Sequence, residues 1–216
     1  MYKELLTEIE SKHAKLLAVS KTKSNEEILE LYQKGQRLFG ENRVQELLPK
    51  YEALPKDISW HLIGHLQSNK VKFIAPFVKM IHSIDSFKLL EECNRQAAKC
   101  SRTIDVLLQI HIAKEETKFG LSEPELFQLL DQLGERPLKN IRIAGLMGMA
   151  TNTHNETVVA AEFEGLRLLF DKVKQNYFPG QHQFCELSMG MSSDYKIALE
   201  HGATIIRIGS LLFGAR

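Results

Sequence analysis

Residues 15–35 read KLLAVSKTKSNEEILELYQKG. Lys15 to Ser20 form a short, largely apolar run of strand length. From Ser24 onward the apolar residues Ile28, Leu29, Leu31 and Tyr32 recur at helical spacing. Ser24 with Glu27 has the form of a helix-starting capping box. The stretch is therefore one strand–helix unit, and the same alternation recurs along the whole chain. Further strand-like runs lie at 37–40, 59–64, 79–84, 105–112, 141–149, 184–189 and 204–209. Helical spacing covers 43–54, 67–76, 86–99, 122–133, 156–177 and 193–201, and also 2–12 before the first strand. Strands alternating with helices predict parallel βαβ units of right-handed connection. Eight such units can close into a TIM-type (β/α)8 barrel. An open doubly wound sheet fits the same alternation. Several strands mix polar and apolar residues near their C-terminal ends, as barrel strands that feed a site at the mouth do. The expected fold is thus α/β, a single TIM-type barrel with an extra N-terminal helix. No Pro/Gly/Ser linker divides it, so residues 1–216 read as one domain led by a helix within 1–13.

Composition narrows the function classes. The 28 basic and 27 acidic side chains leave a net charge of +1, which gives no electrostatic case for nucleic acid or an anionic membrane as partner. No run reaches the roughly 20 apolar residues of a membrane span, and the first residues lack the apolar core of a signal peptide. A cytoplasmic setting is expected. Cys93, Cys100 and Cys185 are odd in number and show no C-x-x-C spacing, against a disulfide framework or structural zinc. His61 and His65 are four apart but straddle a strand end and Gly64, with no helical H-E-x-x-H context, so no metal is expected. His111 reads as a satisfied structural histidine.

Strand alternation puts Leu17, Val19 and Lys21 on one face. If that face is the interior, Lys21 stands at the C-terminal end of a buried strand, where barrel chemistry occurs. A lysine beside apolar walls loses hydration of its ammonium, and a neutral amine attacks aldehydes to give a Schiff base. A strand-end lysine reaching to solvent is the plain alternative. Lys23 shares the parity of Lys21, so spacing alone does not choose between them.

Two later segments suit a phosphate. In Leu187–Asp194, LSMGMSSD, Gly190 permits a tight turn, and Ser192 or Ser193 can cap the following helix, whose first N–H groups attract anions. Directly after the eighth strand, Gly209 allows close backbone approach and Ser210 offers an N–H and a hydroxyl. Loops after strands seven and eight are where TIM barrels often hold phosphate. Arg207 interrupts the apolar run TIIRIG and needs a partner if buried. A pyridine nitrogen serves, and so would a carboxylate such as Glu41 or Asp85.

The motifs LLAVSKTK (16–23), FGENRVQE (39–46), WHLIGHLQSNK (60–70), GLMGMA (145–150), LSMGMSSDY (187–195) and RIGSLLFGAR (207–216) resemble those of the pyridoxal phosphate homeostasis proteins and, more distantly, the N-terminal barrel of alanine racemases. The resemblance implies pyridoxal 5′-phosphate (PLP) as cofactor, held as a covalent aldimine on Lys21 rather than Lys23. It implies Ser192, Gly209 and Ser210 at the phosphate, with Gly190 and Met191 backbone groups beside them. It sets Arg207 opposite the pyridine nitrogen. Asn42, His61 and Asn69 fall in motif positions at the mouth, Met147 near the cofactor, and Ser188 within the phosphate motif. Family members usually carry proline after the lysine motif; Ser24 stands there in this chain.

Arginine stays protonated, so Arg207 would keep the ring nitrogen unprotonated and the ring a weak electron sink. Racemases of this fold add a tyrosine base from a second domain. The chain stops at Arg216, and none of Tyr2, Tyr32, Tyr51, Tyr177 and Tyr195 has the context of such a base. The expectation is a monomeric PLP carrier or regulator that returns PLP to apo-enzymes and acts indirectly on amino-acid and keto-acid balance. A racemase with Lys21 as lone base is the alternative. A PLP-free, aldolase-like barrel that forms an imine with a sugar phosphate is a third.

Overall fold

Strands β1 (Lys15–Val19), β2 (Leu38–Glu41), β3 (Ser59–Leu62), β4 (Met80–Ile84), β5 (Ile104–Ile110), β6 (Ile141–Gly148), β7 (Glu186–Ser188) and β8 (Ile205–Ile208) close into an eight-stranded barrel in a computed structural model. All neighbouring pairs are parallel, and β1 closes on β8 through Leu17↔Arg207 and Ala18↔Ile208. The structure describes residues 2–115 and 118–214. Position 1 of the leading segment and positions 215 and 216 of the last motif lie outside the described residues.

Each strand but the last is followed by helix in the order the sequence predicts: α2 (Asn25–Gln33), α3 (Val44–Ala53), a 3-10 turn (Ser68–Lys70) running into α4 (Val71–Ile74), α5 (Phe87–Lys99), α6 (Glu123–Glu135), α7 (Glu156–Tyr177) and α8 (Tyr195–Glu200). Helix α1 (Tyr2–Ser11) precedes β1, and a one-turn α9 (Ser210–Phe213), not foreseen as a helix, follows β8. Ser24 and Ser122 start α2 and α6 with complete capping boxes, through Glu27 and Glu125. Ser24, where the resemblance implies proline, thus serves as a helix cap.

Strand alternation divides the apolar residues into two layers. Outward residues such as Leu16, Ala18, Trp60, Ile81, Leu146, Ile206 and Ile208 pack under the helices. Inward residues Leu17, Met80, Leu107, Ala144, Met147 and Ile205 fill the barrel. Beneath that plug, at the N-terminal ends of the strands, Lys15 pairs with Glu186, and Arg142 grips Asp105 with two hydrogen bonds of 2.6 and 2.7 Å. Plug and ion pairs occupy the lower end of the barrel among the described residues, and the interior is left open toward the C-terminal mouth. No described helix is long and apolar enough to cross a membrane.

Candidate cofactor site

A cavity of about 490 Å³ opens at the C-terminal mouth. Its walls combine Val19, Lys21, Thr22 and Lys23 after β1, Asn42 after β2, Ile63 after β3, and Met149 after β6. Met191, Ser192 and Ser193 follow β7, and Arg207, Gly209, Ser210, Leu211 and Gly214 come from β8 and its sequel. Residues more than 170 positions apart, Lys21 and Ser192, thus meet because β1 closes on β8. Of the residues singled out in the sequence, Lys21, Asn42, Met191, Ser192, Arg207, Gly209 and Ser210 share this one cavity.

Arg207 is buried and donates through Nη1 to Ser188 Oγ at 2.6 Å and through Nη2 to the Gly148 carbonyl at 2.9 Å. Among the described residues it makes no carboxylate pair of the kind weighed above. Glu41 is taken by Lys50 and Ser20, and Asp85 lies 3.4 Å from His65. Burial lowers the guanidinium to about 10, with the Asp194 charge opposing. It remains protonated at neutral pH and keeps donor capacity toward the cavity.

Ser188 passes the contact inward. Ser188 Oγ accepts from Arg207 and lies 3.0 Å from His82 Nδ1, so its one hydroxyl proton is available to that nitrogen in the tautomer that carries the His82 proton on Nε2. In that tautomer His82 donates through Nε2 to His61 Nδ1, 2.9 Å away. His61 and His82 are both buried, and desolvation holds both imidazoles neutral. It takes His61 down to about 3 with help from the charges of Lys15 and Lys79, and it takes His82 well below 6.5 with help from His61 and Arg207. His61 and Ser188 therefore stand beneath the cavity as supports for Arg207. His82 is a member of this chain that the motifs did not single out; the alternation of Met80 and His82 on one face of β4 was the available signal.

The phosphate-type loops are arranged more specifically than the sequence implied. Gly190 has φ +89°, and a Cβ there would meet Ala198 Cβ at 2.5 Å, so glycine is required both by conformation and by the close approach of α8. The Met191 amide, expected beside the phosphate, instead donates to Asp194 Oδ1 at 2.6 Å. The Gly209 amide donates to Ser192 Oγ at 3.3 Å, which binds the β7 and β8 loops together at the cavity wall.

Of the other expected residues, Gly190, Met147 and Asn69 do not line the cavity. Met147 is buried in the interior plug, and Met149, two positions on, lines the cavity together with Met191. Asn69 stands exposed on the 3-10 turn and does not line the cavity. Burial of Leu66 and Val71 in the outer layer carries that turn away from the mouth. His111 is satisfied by the Glu115 carbonyl at 3.0 Å.

Two lysines, a protonated arginine, an asparagine and three serines in one largely apolar cavity fit a phosphorylated pyridine aldehyde. The amine matches the aldehyde, the guanidinium the ring nitrogen, and the hydroxyls the phosphate oxygens.

The family model described as "Alanine racemase, N-terminal domain" matches residues 2–216. A pyridoxal phosphate homeostasis protein of Aquifex aeolicus is 44% identical over 204 residues, spanning 94% of this chain and 87% of that relative. One from Vibrio alginolyticus is 39% identical, spanning 93% and 86%. The structure of PipY from Synechococcus elongatus with PLP bound superposes with a TM-score of 0.87 at 38% identity, covering 99% of this chain and all (100%) of that one. An alanine racemase from Bartonella henselae shares only the fold, with a TM-score of 0.71 at 17% identity over 99% of this chain and 57% of that one. By its barrel, its motifs and these relatives, the chain belongs to the pyridoxal phosphate homeostasis protein family, built on the alanine racemase N-terminal domain.

Proposed function

We propose that this protein binds PLP in the mouth cavity, holds it as a Schiff base on Lys21, and serves in intracellular PLP homeostasis as a carrier or regulator. The observation that carries the reading is the meeting of Lys21 and Arg207 in one cavity with Ser192 and Ser210. PLP supplies an aldehyde for imine formation and a ring able to take up electron density. Lys21 provides the amine at the end of β1. Arg207, protonated and fixed by Ser188 and Gly148, donates to the ring nitrogen and holds it unprotonated. Ser192, Ser210 and the Gly209 backbone surround the phosphate, with Met191 at the rim. Val19, Ile63 and Met149 offer apolar contact to the ring and keep water from it.

A carrier is favoured over a racemase by the fate of the tyrosines. A second acid/base would have to reach the cavity, and none of the five tyrosines lines it. Tyr2 binds Gln36, Tyr32 binds Asp57, Tyr177 binds Asp131, Tyr195 binds Glu8, and Tyr51 stacks on Phe77. With an unprotonated ring and none of the described tyrosines at the cavity, the site suits holding and release of PLP better than turnover of an amino acid. Acceptors would be apo-enzymes that need PLP. The protein works as a monomer in the cytoplasm on this reading.

The test is a spectrum. PLP added to the protein should give an absorbance band near roughly 420 nm that Lys21→Ala abolishes, since the band belongs to a lysine imine. A band that persists in Lys21→Ala defeats the assignment of the lysine. Exchange of an amino acid's α-proton with deuterated solvent, lost in Lys21→Ala, would favour the racemase over the carrier.

A further inference from the structure

The two peptide groups that flank Lys21 are both held by side chains of one helix. On one side, Lys50 Nζ donates to the Ser20 carbonyl at 2.8 Å. The same ammonium donates to Glu41 Oε1 at 2.7 Å, and Ser20 Oγ donates to that oxygen at 2.7 Å. The Ser20 amide reaches the Gly40 carbonyl at 3.0 Å. Ser20 and Glu41 are fully buried and Lys50 nearly so. On the other side, the Thr22 amide donates to Glu46 Oε2 at 2.9 Å. Glu46 and Lys50 lie four apart in α3 and so share one face of that helix.

Two features separate this arrangement from ordinary packing. Thr22 has φ +65°, in the left-handed region that a β-branched residue avoids. Such a conformation persists where surrounding contacts over-determine it, and it clusters at functional sites. The buried Lys50–Glu41 pair is the second. Desolvating two charges is a poor means of stabilising a fold, and apolar side chains would fill the same space at lower cost. Here the pair delivers a charged donor to the one carbonyl that precedes Lys21.

We propose that Glu46 and Lys50 are positioning residues for Lys21: α3 grips the peptides on either side of it and so fixes the amine toward the cavity that contains Arg207. The inference rests on the reading of Lys21 as the Schiff-base lysine. Imine formation joins Lys21 Nζ to the aldehyde carbon and expels the aldehyde oxygen as water with the two amine protons. The grip leaves that balance unchanged and acts on where the amine stands, a placement to which rates are steeply sensitive.

Stopped-flow loading tests this. PLP is mixed with the apo-protein and the imine band is followed, beside thermal melting and hydrogen exchange of the Thr22 amide. Glu46→Ala should slow loading by about tenfold or more and speed Thr22 amide exchange, with the melting temperature little changed. Glu46→Gln keeps a carbonyl acceptor for the Thr22 amide and should load within about twofold of the parent. The double variant Glu41→Gln/Lys50→Met removes the buried pair as a unit, leaves no charge unpaired, and should also load slowly. Loading at the parental rate by Glu46→Ala or by the double variant overturns the proposal, as does equal slowing by Glu46→Ala and Glu46→Gln. A parent protein that forms no imine band defeats the PLP reading itself. A parent band with unmoved variants defeats only the grip.

Discussion

His61 Nδ1 lies 2.9 Å from His82 Nε2 inside the barrel, and the two buried rings share a single proton. Protonating either imidazole would place a charge in a desolvated interior that already contains Arg207. The pair therefore remains neutral under conditions in which an unfolded chain has charged histidines. Both folded-state values lie below the ordinary 6.5, so below that pH the unfolded chain binds more protons than the folded one. The stability contributed by neutral burial is complete above 6.5 and is lost as pH falls toward about 3, the folded value of His61.

Urea unfolding of the parent and His61→Asn measures this contribution. The asparagine oxygen keeps an acceptor for His82 Nε2–H and cannot titrate. Below about pH 6 the parent should lose about 1.4 kcal/mol per pH unit relative to the variant, one proton's worth. Taking the difference cancels Glu41 and Asp194, whose carboxyls burial raises and which act in the opposite sense. Parallel stability curves for the two proteins between pH 7 and 5 would contradict the assignment.

Ser188→Ala should separate support from binding. Its removal leaves an Arg207 N–H and His82 Nδ1 without the partner they share. The expected cost is about 1.5–3 kcal/mol, the range for a buried hydrogen bond to a charged group. Denaturant midpoints read that cost directly. The imine band should still form, because Lys21 is untouched, but PLP should dissociate faster from a ring contact whose arginine has lost an anchor. A variant with unchanged stability and unchanged release rate would remove Ser188 from the chain.

Two glycines make opposite predictions. A Cβ at Gly64 would meet the backbone oxygen of Asn42 at 2.3 Å, so alanine there must displace the segment that brings Asn42 to the cavity. Gly64→Ala should cost about 1–3 kcal/mol as an overpacked site and weaken PLP binding as well. Gly134 lies within α6, with nothing within 4 Å of the added Cβ. Gly134→Ala should stabilise by about 0.5–1 kcal/mol through helix propensity and leave PLP binding unchanged. Thermal melts with and without PLP distinguish the two. A Gly64→Ala protein that melts and binds like the parent would show that the Asn42 segment yields without cost.

Much of this protein was legible in the order of its residues. Strand and helix periods are local properties, read within a window of one element, and they gave the eight-fold alternation, the capping box at Ser24, and the shared parity of Leu17, Val19 and Lys21. The motifs then selected Lys21, Ser192, Arg207, Gly209 and Ser210, and barrel closure brings all five to one cavity. What the sequence could not supply was contact between elements distant in the chain. Whether Arg207 faced Glu41 or a neutral hydroxyl depended on which side chains β7 and α3 delivered, and the outcome was Ser188 for one and Lys50 for the other. Met149 rather than Met147 reached the mouth because Met147 was needed as filler in the barrel. Asn69 left the mouth because Leu66 and Val71 were drawn into the outer core. The grip of Glu46 and Lys50 on the turn around Lys21 is of the same kind. Helical spacing put those two residues on one face, and only the packing of α3 against the end of β1 decided what that face would hold.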